Sequence, residues 1–292
     1  MRDMDSLQTH LNSEELTLAQ CVKLTRKDAT VLGFSTNNLD VIYDGVTYAA
    51  LSSLSASAQV NNVGTGVDNM EAVGILDSEL ITDTDLLAGK YDGAAIEVFV
   101  INWANLGSGR VLLFSGWIGN VGLVDGQFKA EIRSKSQRLS QSVGELTSPT
   151  CRVHRLGDAR CGLTAGQMAT FQHADALVTA VVDNRNMTFG SDAAATGYYS
   201  EGLVTFDDDA GGGLNAGLSR EIKEHTLTGG AAVLELQEAF PFDVEVGDSA
   251  TLEAGCDRLL TTCRDKFENV VNFRGEPTVP GNDQLMQRGR GG

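Results

Sequence analysis

Apolar residues in this chain fall in short runs that alternate with polar ones and are broken by Gly, Asp and Asn, a period-two pattern that predicts strands. The start is the exception. Leu7, Leu11, Leu16 and Leu18 recur at loose helical spacing, interrupted at Asn12-Ser13, and predict a helix over residues 2–20. Cys21–Arg26 and Thr30–Ser35 then read as paired strands across a turn at Lys27-Asp28. Asp44-Gly45 between β-formers predicts a hairpin within Asp40–Tyr48. Asn69–Leu76 reads as a further strand, and Thr82–Gly93 as a short helix with Thr82 as its cap and Gly89 as its stop. Ala95–Trp103 is apolar enough to predict a central strand. Val111–Val121 and Gln127–Arg133 pair across Asp125-Gly126.

Ser136–Gly144 is polar with some helical character, and Ser148-Pro149 marks a boundary. Beyond it, Ala176–Val182, Asn186–Phe189, Leu203–Phe206, Ser219–Thr226, Ala232–Leu236 and Asp243–Asp248 follow at spacings of about ten residues, which predicts a small barrel. The expected fold class is mainly β: two β-barrel-like domains, a few short helices and a C-terminal cysteine-ligated subdomain. The expected division is 1–148 for the first β-rich domain, 164–255 for the second, and 149–163 with 256–292 for the cysteine segment and tail. The end, Arg288-Gly289-Arg290-Gly291-Gly292, reads as a mobile tail.

At 292 residues, two or three domains are expected. A net charge of −17 argues against a nucleic-acid-binding surface, because neutralising phosphates needs clustered Lys and Arg. The first residues lack the apolar stretch of a signal peptide, and no run approaches the roughly 20 apolar residues of a membrane span. Synthesis in a reducing cytoplasm is the expectation, and there cysteine pairs favour metal or cluster ligation over disulfides.

Four of the five cysteines form two local pairs: Cys151 with Cys161, and Cys256 with Cys263. Nine residues separate the first pair and six the second, against two to four in usual zinc loops. Four thiolates can hold structural zinc or an iron–sulfur cluster, and the wider gaps tilt towards [4Fe–4S]. Arg152, Arg155, Arg160 and Arg258 would offset the cluster's charge. The bland alternative is four unligated buried thiols, and Cys21, remote from the pairs, reads as core. His154 among arginines reads as a surface residue before a ligand. Asp207, Asp208 and Asp209 read as a solvated turn, lacking the alternation and terminal Glu of a calcium loop. Trp103 and Trp117 read as core or interface anchors. No nucleophile elbow, phosphate loop or zinc-protease helix motif occurs, so an enzyme is the weaker class.

The segments Thr17–Cys21, Leu24–Asp28, Gly33-Phe34, Asp68–Glu71, Asp85–Ala94, Asn102-Trp103, Gly116–Gly119, Leu156–Cys161, Gly247-Asp248 and Gly255–Pro277 together resemble tail hub proteins of long-tailed bacteriophages and of the gene transfer agents of alphaproteobacteria. The polar stretch Ser134–Arg138 departs from that pattern. Cys256-x6-Cys263, followed by Phe267, Asn269 and Asn272-Phe273-x-Gly275-x-Pro277, is similar to the motif of lambdoid minor tail proteins that hold an iron–sulfur cluster. The resemblance implies a non-enzymatic virion protein made in the host bacterial cytoplasm. It would be a homotrimeric hub at the tail tip or baseplate, adapting a sixfold tube to a threefold tip. Its implied neighbours are the distal tail protein ring above and a tip or central fibre protein below. DNA would pass through its channel during ejection without specific binding, and no membrane insertion is implied. It also implies a [4Fe–4S] cluster on Cys151, Cys161, Cys256 and Cys263, with structural zinc as the alternative. A different class, an iron–sulfur redox or sensor protein, would need a substrate or cofactor pocket. A tail-associated peptidoglycan hydrolase would need a Cys/His or paired-Glu arrangement that the sequence does not show.

Overall fold

The computed structural model describes residues 7–50, 55–56, 69–75, 81–124, 127–135, 137, 144–208 and 211–279. The chain divides into two compact units, 1–143 and 144–292. Both are built on β-structure, and the described helices are short.

In the first unit nine strands form one sheet in the order β3-β4-β2-β1-β7-β8-β9-β6-β5. They are β1 Leu18–Thr25, β2 Val31–Ser35, β3 Val41–Tyr43, β4 Val46–Ala50, β5 Ser55–Ala56, β6 Asn69–Ile75, β7 Ala95–Asn102, β8 Arg110–Val124 and β9 Gln127–Ser134. All pairings are antiparallel except β2 with β4. Two separate cores pack against the central strands over different stretches. Val22, Leu24, Ile96 and Val98 pack into one cluster, and Ala19, Cys21, Phe99 and Ile101 into another. The side that is buried changes at matched positions, since Val22 lies opposite Val98 and Cys21 opposite Phe99. Along β7 burial alternates and switches side once, between Val98 and Phe99 where the ladder carries a bulge, so its apolar residues fall on both faces and read as one run. Cys21 is fully buried in this core, as the sequence implies.

The β3–β4 hairpin turns at Asp44-Gly45, both at positive φ (51° and 74°), as the Asp-Gly signal predicts. Thr82 caps the helix Asp83–Leu87 by accepting from the Asp85 N–H at 3.2 Å. The helix over residues 2–20 is a correction. Residues 2–6 of that span lie outside the described residues; within the rest, helix occurs at Gln8–Leu11 and β1 begins at Leu18. Ser13 Oγ donates to the carbonyls of His10 (2.6 Å) and Glu15 (2.8 Å), and His10 Nε2 accepts the Thr17 N–H at 3.0 Å. Such side-chain bonds offer the backbone an alternative to continuing the helix.

The second unit contains a closed barrel, β10-β11-β14-β13-β12-β15. Its strands are β10 Gln172–Val181, β11 Asn186–Phe189, β12 Leu203–Phe206, β13 Ser219–Thr228, β14 Ala231–Leu236 and β15 Ser249–Glu253. Fully buried residues such as Phe189, Phe206, Ile222, Leu234 and Leu252 fill it. The expected strand at Asp243–Asp248 is a turn instead. The Asp248 N–H donates to the Glu245 carbonyl (3.2 Å), and the Glu245 N–H to the Asp248 carboxylate (2.9 Å). The closing strand is the next five residues, β15. The turn Asp125-Gly126, most of Ser136–Gly144 and the Arg-Gly tail lie outside the described residues.

Candidate metal centre

Two stretches distant in sequence meet beside the barrel. The Cys151 N–H donates to the Arg258 carbonyl (2.9 Å), the Arg152 N–H to the Arg274 carbonyl (3.2 Å), and the Glu276 N–H to the Ser148 carbonyl (2.7 Å). The Glu276 carboxylate accepts the Ser148 N–H (3.1 Å) and binds the Arg152 guanidinium at 2.5–2.7 Å. This clamp draws the first cysteine pair onto the second. Beneath it Val153, Leu156, Cys161, Leu163, Ala254 and Phe267 form a small core of their own. Phe267 packs edge-on against Phe171 with ring centroids 5.0 Å apart.

Gly255 seats the Cys256 loop on the barrel. A Cβ there would lie 1.6 Å from the Ser200 carbonyl oxygen, so only glycine allows that approach. The Gly255 N–H donates to the Tyr198 carbonyl (3.0 Å). Lys266 Nζ ties the same place down, donating to the carbonyls of Tyr198 (2.6 Å) and Gly255 (2.8 Å). Cys263 lies on the helix Leu260–Asp265, and its N–H donates to the Leu259 carbonyl at 3.0 Å.

Cys151, Cys161, Cys256 and Cys263 all line one cavity of about 540 Å³, together with Val153, Phe267 and Asn269. Donors reach three of the sulfurs. Asn269 Nδ2 approaches Cys161 Sγ at 3.5 Å while bonding the Cys161 carbonyl at 2.8 Å. The Arg274 N–H donates to Cys151 Sγ at 3.4 Å, and the Arg258 N–H donates to Cys256. Asn272 holds Asn269 in place through a 2.8 Å bond between their amides. Burial, and then the neighbouring thiols, push Cys263 up to about 11. Burial likewise raises Cys256, against the opposing Arg258 N–H. Four sulfurs on one cavity, with N–H donors aimed at three of them, make a donor set suited to a soft, thiolate-preferring metal group. Among the described residues, no three His, Cys, Asp or Glu side chains are grouped tightly enough to hold a single ion.

The other expected residues fall as follows. Cys21 lies in the first unit, its Sγ 3.9 Å from Ser35 Oγ. His154 is exposed on the cavity rim. The arginines are committed to carboxylates: Arg152 to Glu276 and Glu145, Arg160 to Glu145, and Arg155 to Glu253 at 3.4 Å. Arg258 is exposed. Asp207 accepts from Ser249 and from Thr251 (3.1 Å), as a turn carboxylate does, and Asp209 lies outside the described residues. Trp103 is about half exposed. Lys266 and the clamp carboxylate Glu276 carry roles that the cysteine spacing did not announce. Both sit inside the Gly255–Pro277 stretch, but their partners are backbone groups and an arginine far away in sequence.

Residues 4–164 match the family described as baseplate hub protein, N-terminal attachment domain. Residues 197–283 match a second family, described as phage conserved hypothetical protein BR0599. One cysteine pair thus falls within each match. Among solved structures, a chain in the virion of a native gene transfer agent particle is 34% identical. That similarity covers 96% of this chain and 94% of the other, with a TM-score of 0.84. A search of curated proteins gives no match.

Proposed function

As the chain belongs to the baseplate hub protein family, we propose that it is the structural hub subunit at the distal end of a phage or gene transfer agent tail. It is a virion component of the tail, and assembles with other tail proteins. The observation that carries the reading is the likeness to a gene transfer agent virion chain over nearly the full length of both. On this reading three copies form a ring that adapts the sixfold tube to a threefold tip. The distal tail protein ring lies above it and the tip or fibre protein below. Its acidic surface repels DNA along the channel without binding it, consistent with the net charge of −17. A structural role accounts for the chain without a catalytic one.

The same reading gives Cys151, Cys161, Cys256 and Cys263 a [4Fe–4S] cluster. A cavity lined by four sulfurs suits a body of several iron atoms, and N–H donors to the sulfurs are a known means of tuning such clusters. Bound there, the cluster would cross-link the 148–163 and 255–277 stretches and so hold the clamp against the barrel. In this role the residues bind and orient; they transform nothing.

Two measurements test this. Full-length protein purified anaerobically should show broad visible absorption, with iron and sulfide near four per chain. Cys256→Ser should lose both colour and iron and unfold more easily. Zinc at one per chain would replace the cluster with a structural ion, and metal-free, fully folded protein would remove the site. Separately, light scattering should give the mass of three chains; a stable monomer at all concentrations would count against the self-assembling hub.

A further inference from the structure

A polar cluster lies buried against the loop that supports Gly255. Asp192, nearly fully buried, stands between two histidines: its carboxylate oxygens are 3.6 Å from His225 Nε2 on β13 and 3.6 Å from His173 Nδ1 on β10. Asp192 Oδ1 also accepts the Tyr199 hydroxyl (3.2 Å) and the Ala194 N–H (3.2 Å). Asp192 Oδ2, His225 Nε2 and His173 Nδ1 are buried without a hydrogen-bond partner among the described residues. Native interiors leave few such atoms, and each asks for a reason.

The ring of His225 also supports the loop directly. Its Nδ1 accepts the Tyr199 N–H at 3.5 Å, which fixes the neutral ring's proton on Nε2, facing Asp192. The backbone at His225 meets the same loop twice more: its N–H reaches Ser200 Oγ at 3.0 Å, and its carbonyl accepts the Gly197 N–H at 3.0 Å. The Tyr199 ring stacks edge-on against the imidazole at 4.9 Å. One residue earlier, the Tyr198 carbonyl holds the Gly255 N–H and the Lys266 ammonium.

We propose that Asp192, His173 and His225 form a proton-operated latch under residues 197–202. A proton on His225 Nδ1 sets an N–H against the Tyr199 N–H and removes that bond. The imidazolium draws the Asp192 carboxylate in, and the loop that carries the Tyr198 carbonyl, and with it the seat of Gly255, loosens. The groups that act on His225 are Asp192, Tyr199 from the loop and Lys266 from the C-terminal segment; its β14 neighbour is Leu234, and His173 from β10 reaches the same Asp192 carboxylate. Burial disfavours the imidazolium, and Asp192 opposes that only in part, so the latch is closed at neutral pH and opens in acid. The inference does not depend on the hub reading or on the metal.

The test is hydrogen exchange on the full-length protein at about pH 7.5 and about pH 5, corrected for intrinsic rates. Amides at Tyr199–Gly202 and Gly255 should exchange about tenfold faster in acid, as expected for loss of one buried hydrogen bond, while those of β11 and β14 stay protected. His225→Gln should abolish the step. A wild-type protein without the step, or a variant that keeps it, would overturn the latch. Imidazole nitrogen NMR on wild-type protein gives a second reading that needs no variant. Nδ1 of His225 should be an unprotonated acceptor at the higher pH and take up a proton over the range in which exchange rises. A ring already protonated at Nδ1 at the higher pH, or one that titrates with no change in exchange, would also overturn it.

Discussion

Gly255 carries more of the site's geometry than its lack of a side chain suggests. Any Cβ there meets the Ser200 carbonyl at 1.6 Å, so Gly255→Ala must push the Cys256 loop off the barrel. The expected cost is about 3 kcal/mol or more in urea unfolding. Gly166, in the helix Ala165–Ala169 with open space around its Cβ position, makes the opposite prediction: Gly166→Ala stabilises by about 0.5–1 kcal/mol. At this scale the two local cysteine pairs were legible from spacing and rarity, which left a shared ligand and unligated burial open; the structure adds that all four line one cavity. The Asn269 contact to Cys161, 108 residues away, and the Asp192–His225 pair were not. A side chain bonded to a distant carbonyl leaves no periodic mark in sequence. His225 also sets a pH dependence. Its folded value lies below its ordinary one because of burial, so its contribution is intact at neutral pH and is lost as pH falls below about 6.5, where the unfolded chain takes the proton more readily. Denaturant midpoints should therefore fall between about pH 7 and 5 in wild type and fall less in His225→Gln.

Among elements, the clamp between residues 148–152 and 274–276 joins the two stretches that carry the cysteine pairs. Arg152 first, then the Ser148 N–H, hold the Glu276 carboxyl below its ordinary value. Its stabilisation is therefore present above the ordinary carboxylate range and is lost as pH falls through the lowered value. On the proposed cluster reading, Glu276→Gln should retain less iron than wild-type protein at neutral pH, and the gap between the two should close in strong acid. A variant that retains iron as wild type does would show that the clamp is dispensable. Hairpin and strand signals were well legible wherever turn chemistry was local, as at Asp44-Gly45 and Thr82. Two elements misled for identifiable reasons. Leucines spaced like a helix over 2–20 yield to side-chain bonds at His10 and Ser13, and alternating Val244 and Val246 precede the closing strand rather than forming it. The helix Ala165–Ala169 had a signal, the Thr164-x-x-Gln167 capping box, that was open to reading.

For the whole molecule, a mainly β fold of two units was legible from strand-length apolar runs, and the barrel of the second unit from strands spaced about ten residues apart; the strand that closes it, β15, pairs with both β10 and β12 and lies just past the stretch the sequence offered. Assembly leaves no period in a sequence; it enters through family membership and the likeness to a virion chain. The acidic surface belongs at this scale as well. On the proposed hub reading, replacing groups of Asp and Glu that would face the channel by Asn and Gln should slow DNA delivery while particles still assemble, and unchanged delivery would remove the repulsion. The hub assignment itself is tested most directly by cryo-electron microscopy of particles carrying a labelled copy of this chain. Three labels in a ring at the distal end of the tail, between tube and tip, is the predicted result. Label along the tube, on the capsid, or absent from the particle would contradict it.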